Sequence, residues 1–376
     1  MIFLLVSFAI ILCYALLISA ISVGWFKLND FERSDQKHYV KISIIVAVRN
    51  EASAIGSLLE SLLKQDYPPE HFEMIIVDDH STDETKRRFE EITSELNGIP
   101  NLKFISLEPD DGFGKKAALS HGIKLSGGDL IVITDADCTA GSSWISTIAA
   151  FYDRLKPQMI LGAVQMTDGG NFFGKLQSLE FMSLISSAAG SCSAGFPLLA
   201  NGANIAFTRQ AFESCGGFSG HMEFPSGDDM FLMMSIKKKF GAGSIRFLKS
   251  ADAIVKTTAI KGIKPFLQQR MRWVSKSKGY TDPVLIATSI LVYLANAILL
   301  ISGISAFIFP GLYKIFLLVY MAKMIIDFPL MLSFARFQKS GALLWLFPFM
   351  ELLNAVYTVF IGIIGNIGKY EWKGRR

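Results

Sequence analysis

The 376-residue chain is short of charge and of cysteine. Only 19% of its residues are charged, against about 25% in an ordinary soluble domain, while 51% are hydrophobic. Part of the chain is therefore predicted to lie in lipid. The formal net charge of +4 gives no argument for a nucleic-acid partner. The four cysteines match no zinc-binding or CxxC spacing, so neither a structural zinc site nor a redox motif is expected.

The apolar excess is concentrated at the two ends of the chain. Residues 2–24 carry no charge and are long enough to cross a bilayer as a helix. A cleaved signal peptide would have basic residues before a shorter apolar core, whereas here they follow it, at Lys27, Arg33, Lys37 and Lys41. The positive-inside rule makes that flank cytoplasmic. Residues 1–26 are thus predicted to be a transmembrane anchor with its N-terminus outside.

Three more apolar stretches follow residue 282, at residues 283–309, 311–334 and 342–366. Pro310 and Gly311 predict a tight turn between the first two. Pro348 and Glu351 interrupt the third, which is expected to be either re-entrant or a broken pair of helices. Residues 283–368 are therefore predicted to be a C-terminal transmembrane region and residues 369–376 a basic tail, with the number of crossings left open.

Between these ends, residues 41–280 alternate between strand and helix patterns. Strands are predicted at residues 42–48, 72–77, 102–107 and 130–134, and helices at 54–65, 83–96 and 116–125. This alternation predicts an α/β fold with a mostly parallel sheet, whose ligands bind at the carboxyl ends of the strands. Residues 172–189 and 264–278 are predicted to be interfacial helices, a core helix being the alternative for the first.

Acidic clusters come at two of the predicted strand ends. Asp78 and Asp79 lie in VDDHSTD (residues 77–83), which is also good chemistry for capping the next helix. Asp135 and Asp137 are one residue apart, so in extended chain both carboxylates would point the same way. Two close like charges are costly unless a cation or a donor lies between them. An ordinary Asp-rich turn is the alternative.

Two further clusters follow later in the chain. Asp228 and Asp229 precede a helical run, where acids also stabilise the helix dipole. The segment QRMRW then contains Gln269, Arg272 and Trp273. Arginine can bind diphosphate oxygens with its fork of donors, and tryptophan offers a flat face to a sugar or a lipid head group. An interfacial anchor helix would have a similar composition.

In their order and spacing the four clusters resemble those of membrane-bound family 2 glycosyltransferases, which have a GT-A fold. The pattern Q-x-x-R-W is typical of the branch with cellulose, chitin and hyaluronan synthases and ceramide glucosyltransferase. The resemblance implies a UDP-sugar donor and Mg²⁺ or Mn²⁺. It assigns Asp79 to the uracil ring beside Asp78, Asp137 to the metal, and Asp135 to the ribose or the metal shell. A nucleotide-binding loop is implied at Ala47, Arg49, Asn50 and Glu51, although the family often has proline near Ala47.

The same resemblance implies the remaining roles. Lys115 would lie near the diphosphate, an ordinary surface lysine being the alternative. Asp229 would be the general base and Asp228, where the family more often has Glu, the next candidate. Asn201 and Gly202, in NGANIAF, would approach the acceptor, as would Trp273. Gln269 and Arg272 would bind the donor.

The expected function is inverting sugar transfer from a UDP-sugar to a membrane lipid. It is expected at the cytoplasmic face of a bacterial inner or plasma membrane. Three C-terminal apolar stretches offer little for a polymer channel, so a lipid acceptor is preferred to a processive polysaccharide synthase. A non-catalytic membrane protein that binds nucleotide sugars is the alternative from another class. It would be expected to have lost Asp229 or the QRMRW residues, and both are present.

Overall fold

The computed structural model describes residues 2–33, 39–95, 101–221, 224 and 226–367. The helices are α1 (Ile2–Lys27), α2 (Ile55–Leu63), α3 (Thr85–Ser94), α4 (Lys115–Leu125), α5 (Trp144–Leu155), α6 (Phe172–Ser193), α7 (Arg209–Ser214), α8 (Asp228–Phe240), α9 (Ile263–Ser275), α10 (Pro283–Ile308), α11 (Tyr313–Phe337) and α12 (Phe347–Ile367). The strands are β1 (Ile42–Val48), β2 (Phe72–Asp78), β3 (Leu102–Ser106), β4 (Leu130–Ile133), β5 (Thr139–Ala140), β6 (Met159–Gly162), β7 (Val164–Thr167), β8 (Ile205–Thr208), β9 (Ile245–Leu248) and β10 (Val255–Thr258).

These elements form two compact units. Residues 29–165 and 199–258 make one, called here the α/β unit. Residues 1–28, 166–198 and 259–376 make the other, called the helical unit.

The α/β unit is built on a seven-stranded sheet in the order β3-β2-β1-β4-β8-β6-β9. The central strand β1 reads ISIIVAV and is buried along nearly its whole length, as expected of a parallel strand covered on both faces. It pairs in parallel with β2, Ile42 lying opposite Phe72, and with β4, Ile42 lying opposite Leu130. β8 runs antiparallel between β4 and β6. A smaller sheet has the order β5-β10-β7.

The predicted α/β fold class is confirmed, with a mostly parallel sheet. The four predicted strands and three predicted helices are present with bounds shifted by two residues or fewer. At the start of α3, Asp83 Oδ1 accepts hydrogen bonds from the backbone N–H of Thr85 (3.0 Å) and from its hydroxyl (2.5 Å). A carboxylate therefore binds a donor at that helix end, as the VDDHSTD pattern suggests.

The helical unit contains four helices that are long and apolar enough to cross a membrane. They cover residues 5–27, 283–308, 310–337 and 341–365. The first is closely packed rather than isolated. A Cβ atom added to Gly24 in α1 would lie 2.1 Å from the carbonyl oxygen of Gly190 in α6, so only glycine permits this approach. Close approach through small residues is typical of helix packing in lipid.

The third apolar stretch differs from its prediction. Residues 347–367 form one continuous helix after a short 3-10 segment (Gly341–Leu346), so a broken pair of helices is wrong. Pro348 falls in the first turn of α12, where proline removes no helical hydrogen bond. The basic tail at residues 369–376 lies outside the described residues. The predicted domain boundaries and the interfacial position of α6 and α9 stay predictions.

A buried charge cluster links three of the long helices. Lys323, in α11, has its Nζ 2.6 Å from Asp327 Oδ2 of the same helix and 2.6 Å from Glu351 Oε2 in α12. The hydroxyl of Tyr14, in α1, donates to Asp327 at 2.8 Å. Burial of these groups away from water is tolerated because each charge has a partner of opposite sign.

Candidate active site

The site in the α/β unit begins at the end of β1, where Ala47 is the second-last residue of the strand. The loop that follows β1 is tied to the loop after β2. Arg49 donates through Nη1 to the carbonyl oxygens of Asp79 (2.6 Å) and His80 (3.1 Å). Asn50 has a positive φ of 52° and accepts through Oδ1 from the backbone N–H of Thr82 at 2.8 Å. These contacts hold the two loops together at the carboxyl ends of β1 and β2.

The two aspartates after β2 have different partners. Asp78 accepts from the backbone N–H of Ser81 at 3.2 Å, which stabilises the turn after β2. Asp79 accepts through Oδ1 from the backbone N–H of Gly114 at 3.0 Å, so it links β2 to the loop before α4. Both carboxylates are buried. Asp79 is thus placed at the meeting point of three loops.

An exposed aromatic ring, not predicted from the sequence, lies beside Asp79. Phe113 is 60% exposed, and its ring stacks on that of His80 with 4.3 Å between centroids and 25° between planes. In the sequence it is marked only by its position between two glycines, Gly112 and Gly114. In the structure both glycines have a positive φ. A stacked pair with an exposed face gives a flat apolar surface at the edge of the site.

The carboxylates of Asp135 and Asp137 lie close together, but not for the reason that extended chain would give. β4 ends at Ile133, and a turn follows in which the backbone N–H of Cys138 donates to the carbonyl oxygen of Asp135 at 3.1 Å. The turn brings ligand atoms of Asp135, Asp137 and Cys138 to within 4.8 Å of one another. The two carboxylates are close together, as expected. The expected cause, side chains that point the same way along an extended strand, is wrong.

Lys115 lies among carboxylates rather than alone on the surface. Its Nζ is 2.5 Å from Asp135 Oδ1 and 3.6 Å from Asp228 Oδ2. Burial alone would lower the pKa of the Lys115 ammonium, but the carboxylates of Asp135, Asp228 and Asp229 together raise it above its ordinary value. Lys115 therefore stays charged at neutral pH and links the acids that follow β4 to those that begin α8.

Asp228 and Asp229 occupy the first turn of α8. Asp228 is buried. Asp229 accepts through Oδ2 from the backbone N–H of Gly202 at 3.0 Å and through Oδ1 from the N–H of Met230 at 2.7 Å. A Cβ atom on Gly202 would lie 3.2 Å from Lys115 Nζ and 3.5 Å from Asp228 Oδ2. The small residue thus lets the loop before β8 reach the acids at close range.

The α/β unit therefore brings together most of the predicted residues through a chain of close contacts: Asp79, Lys115, Asp135, Asp137, Gly202, Asp228 and Asp229. Arg49 and Asn50 adjoin Asp79 through the loop after β2. The backbone N–H of Glu51 donates to Thr85 Oγ1 at 2.8 Å, at the start of α3. Asn201 accepts through Oδ1 from the N–H of Ala203 at 3.0 Å, which fixes the turn beside Gly202.

Gln269, Arg272 and Trp273 lie on α9, in the helical unit. Their side chains are half-buried. The intervening Arg270 contacts two of them, donating through Nη1 to Gln269 Oε1 and stacking over the ring of Trp273 at 4.1 Å from its centroid. Arg270 was not among the predicted site residues, because the pattern Q-x-x-R-W leaves its position undefined.

The residues after β4 fit a divalent cation such as Mg²⁺ or Mn²⁺. Asp135 is partly exposed, Asp137 is exposed, and carboxylate oxygens are the ligands that such hard cations prefer. Burial raises the pKa of the neighbouring Cys138 thiol, and the charges of Asp137 and Asp135 raise it further. Hard cations prefer carboxylate oxygen to sulfur, so the two aspartates rather than Cys138 are the expected ligands.

A mostly parallel sheet with acidic turns at its carboxyl edge is the architecture of a GT-A domain, and the chain also contains four helices of membrane-spanning length. One solved structure of similar fold covers 96% of each chain, with a TM-score of 0.61 and 19% identity: a mannosyltransferase from Pyrobaculum calidifontis in complex with GDP-Man and Mn²⁺. Residues 43–217 match the family model described as Glycosyl transferase family 2. This match covers 175 of the 376 residues, just under half of the chain.

Curated relatives carry related names. A β-monoglucosyldiacylglycerol synthase of Nostoc sp. is 29% identical over 212 residues, which is 54% of this chain and 43% of that protein. A poly-β-1,6-N-acetyl-D-glucosamine synthase of Staphylococcus epidermidis is 31% identical over 159 residues, 41% of this chain and 35% of that protein. The chain thus matches less than half the length of these relatives.

Proposed function

We propose that the protein is an inverting glycosyltransferase that moves a sugar from a UDP-sugar to a lipid acceptor at the cytoplasmic face of a bacterial inner or plasma membrane. The observation that carries the proposal is the presence, in one chain, of a match to the family 2 glycosyltransferase model and four helices of membrane-spanning length. The name of the Nostoc relative supports the lipid acceptor, because it describes synthesis of a glucosylated diacylglycerol.

The donor is proposed to lie along the edge formed by the loops after β1, β2 and β4. Asp79, fixed by Gly114, would accept from the uracil ring, while Arg49 and Asn50 hold the loops on either side of it. Lys115 would face the diphosphate with a charge that persists at neutral pH. Asp137 and Asp135 would hold the cation, which supplies neutralisation of the leaving diphosphate. The manganese of the Pyrobaculum structure agrees with this class of metal.

Asp229 is proposed to act as the general base. The acceptor oxygen forms a bond to the anomeric carbon, the bond from that carbon to the diphosphate oxygen breaks, and the acceptor proton passes to the Asp229 carboxylate. Both oxygens of Asp229 accept backbone N–H groups, which fixes the orientation of the carboxylate. Asp228 is the less accessible candidate, since its side chain is only 8% exposed and faces Lys115.

The acceptor is proposed to be bound near the lipid head groups. Trp273 and Pro283, the first residue of α10, are ten positions apart. Ten residues reach about 35 Å at most when extended and less than half of that when helical. The basic residues that follow α1 favour a cytoplasmic location for this side of the membrane. Trp273, Asn201 and Gly202 are the residues proposed to contact the acceptor.

A processive polysaccharide synthase is the second candidate, favoured by the name of the Staphylococcus epidermidis relative. The two candidates differ in their products. A lipid glycosyltransferase adds one sugar or a few to a lipid. A processive enzyme forms long polysaccharide chains and does so without added lipid.

The test is an assay of the full chain purified in detergent, with a panel of UDP-sugars and GDP-mannose. Each donor is incubated with diacylglycerol, with a bacterial lipid extract or with no lipid, and the products are identified by mass spectrometry. The proposal predicts a glycolipid from a UDP-sugar, formed only with lipid and divalent metal. A polymer formed without lipid would favour the second candidate, and turnover with GDP-mannose alone would contradict the UDP assignment.

A further inference from the structure

Arg270 lies between two aromatic rings on one face of α9. Phe266 comes four residues before it and Trp273 three residues after it, so all three side chains share that face of the helix. The guanidinium carbon lies 4.6 Å from the centroid of the Phe266 ring and 4.1 Å from that of Trp273. Both distances are within the range of a cation–π contact.

The same guanidinium forms a buried ion pair. Arg270 Nη2 lies 2.5 Å from Glu180 Oε2, and Nε donates to Glu180 Oε1 at 3.2 Å. The two side chains are only 1% and 6% exposed. Glu180 is the single acidic residue of α6, a helix that is otherwise mostly apolar. Two parallel hydrogen bonds fix the plane of the guanidinium as well as its position.

The remaining nitrogen of the Arg270 guanidinium, Nη1, holds the side-chain amide of the neighbouring Gln269. Nη1 donates to Gln269 Oε1. With its oxygen held in this way, Gln269 presents its NH₂ group as the end that can donate to a ligand. Arg270 therefore contacts both neighbours that the Q-x-x-R-W pattern marks on either side of it, the glutamine through a hydrogen bond and the tryptophan through its ring face.

We propose that Arg270, held by Glu180, is a positioning residue that sets the Gln269 amide and the Trp273 ring for the transfer reaction. This inference rests on the proposed function. Lysine cannot replace it, because the role uses the flat face of the guanidinium and three separate N–H directions at once. The residue acts through its neighbours and needs no contact of its own with the donor or the acceptor.

The test compares Arg270→Lys, which keeps the charge, with Trp273→Ala and with the double variant. Arg270→Lys is expected to raise the KM for lipid acceptor by roughly fivefold to thirtyfold, the range of a cation–π contact. The increase in KM of the double variant should be smaller than the sum of the two single effects, because both changes remove the contact between Arg270 and Trp273. A normal acceptor KM in Arg270→Lys, or additive effects, would overturn the inference.

Two further variants separate positioning from stability. Removing both charges, in Arg270→Met with Glu180→Gln, leaves no unpaired ion and is expected to keep the fold while still raising the acceptor KM. Lys323→Met breaks a different buried pair of the helical unit. It should lower Tm without changing the acceptor KM. If both sets of variants changed KM in parallel with Tm, Arg270 would be merely structural.

A readout that does not need activity completes the design. The protein is labelled with 5-fluorotryptophan, and the ¹⁹F signal of Trp273 is assigned as the one lost in Trp273→Phe. Arg270→Lys should shift or broaden that signal and leave the signal of Trp144, in the α/β unit, in place. An unchanged Trp273 signal refutes the inference, whereas failure of the wild type to transfer sugar from any donor would refute the proposed function and leave the spectrum interpretable.

Discussion

Charged side chains are used differently in the two units of the chain. In the α/β unit Asp135 is 37% exposed and Lys115 30%, at the open edge of the sheet. In the helical unit Lys323 is 2% exposed and Glu351 8%, and Arg270 and Glu180 are equally enclosed. Open carboxylates can exchange water for a ligand, whereas enclosed pairs are satisfied by each other and hold helices in one arrangement.

The balance of charge differs in the same way. Around Lys115 one ammonium faces the carboxylates of Asp135, Asp228 and Asp229, so the edge attracts a further cation. Arg270 is instead matched by one carboxylate, that of Glu180. We therefore expect changes in the α/β unit to alter binding and chemistry, and changes in the buried pairs to alter folding or the orientation of neighbouring side chains.

The largest effect is expected at Asp229. Asp229→Asn should reduce sugar transfer by roughly 10²–10⁴-fold, the usual cost of losing a general base, while UDP affinity changes by no more than a few-fold. The reason is that a base acts on the acceptor hydroxyl and not on the donor. Transfer rates and UDP binding by calorimetry are measured on one preparation. Full turnover in this variant would move the base elsewhere, with Asp228→Asn the next variant to measure.

The buried cluster should respond in stability rather than in chemistry. Lys323→Met leaves Asp327 and Glu351 without their cation and should lower the free energy of unfolding by about 3–5 kcal/mol. Lys314→Met, at an exposed position of the same helix, is the matched control and should have little effect. Thermal unfolding in detergent gives the comparison. Equal Tm values for the two variants would mean that the cluster does not stabilise the helical unit.

The difference between the units also explains what the sequence could predict. The strands of the α/β unit follow from continuous apolar runs such as Ile42–Val48, and their acidic ends mark the site. The Asp135 turn could not be foreseen, because strand alternation and a turn both bring i and i+2 carboxylates together. Arg270 and Glu180 are separated by ninety residues, and no local pattern links two charges on helices that meet only in the folded chain.

Metal dependence gives a sharper test of the open edge. Asp137→Ala should weaken UDP binding with Mg²⁺ or Mn²⁺ present by at least roughly 10–100-fold, the cost of losing even an outer-shell partner of a metal. In EDTA the variant and the wild type should bind UDP alike, because the carboxylate acts through the cation. Asp110→Ala, at another exposed acid of the α/β unit, is the control. Equal UDP affinity of the wild type with and without metal would contradict the assignment.

The smallest of these effects is expected at Trp273, and it tests whether the helical unit takes part in acceptor recognition. One face of the ring is already covered by Arg270, so only the remainder of this half-buried side chain can meet a lipid head group or sugar. Trp273→Ala should raise the lipid concentration needed for transfer by roughly fivefold to thirtyfold and leave slow donor hydrolysis intact.

Trp345→Ala is the control, because Trp345 is a 68% exposed tryptophan of the same unit. It separates the loss of any aromatic ring from the loss of the Trp273 ring. Both activities are measured in each variant, so that a damaged donor site would show as lost hydrolysis. Normal transfer in Trp273→Ala would remove the ring from acceptor binding. Equally fast transfer by the wild type to soluble protein acceptors would refute the lipid acceptor itself, because a site next to the head groups has no reason to prefer a substrate from solution.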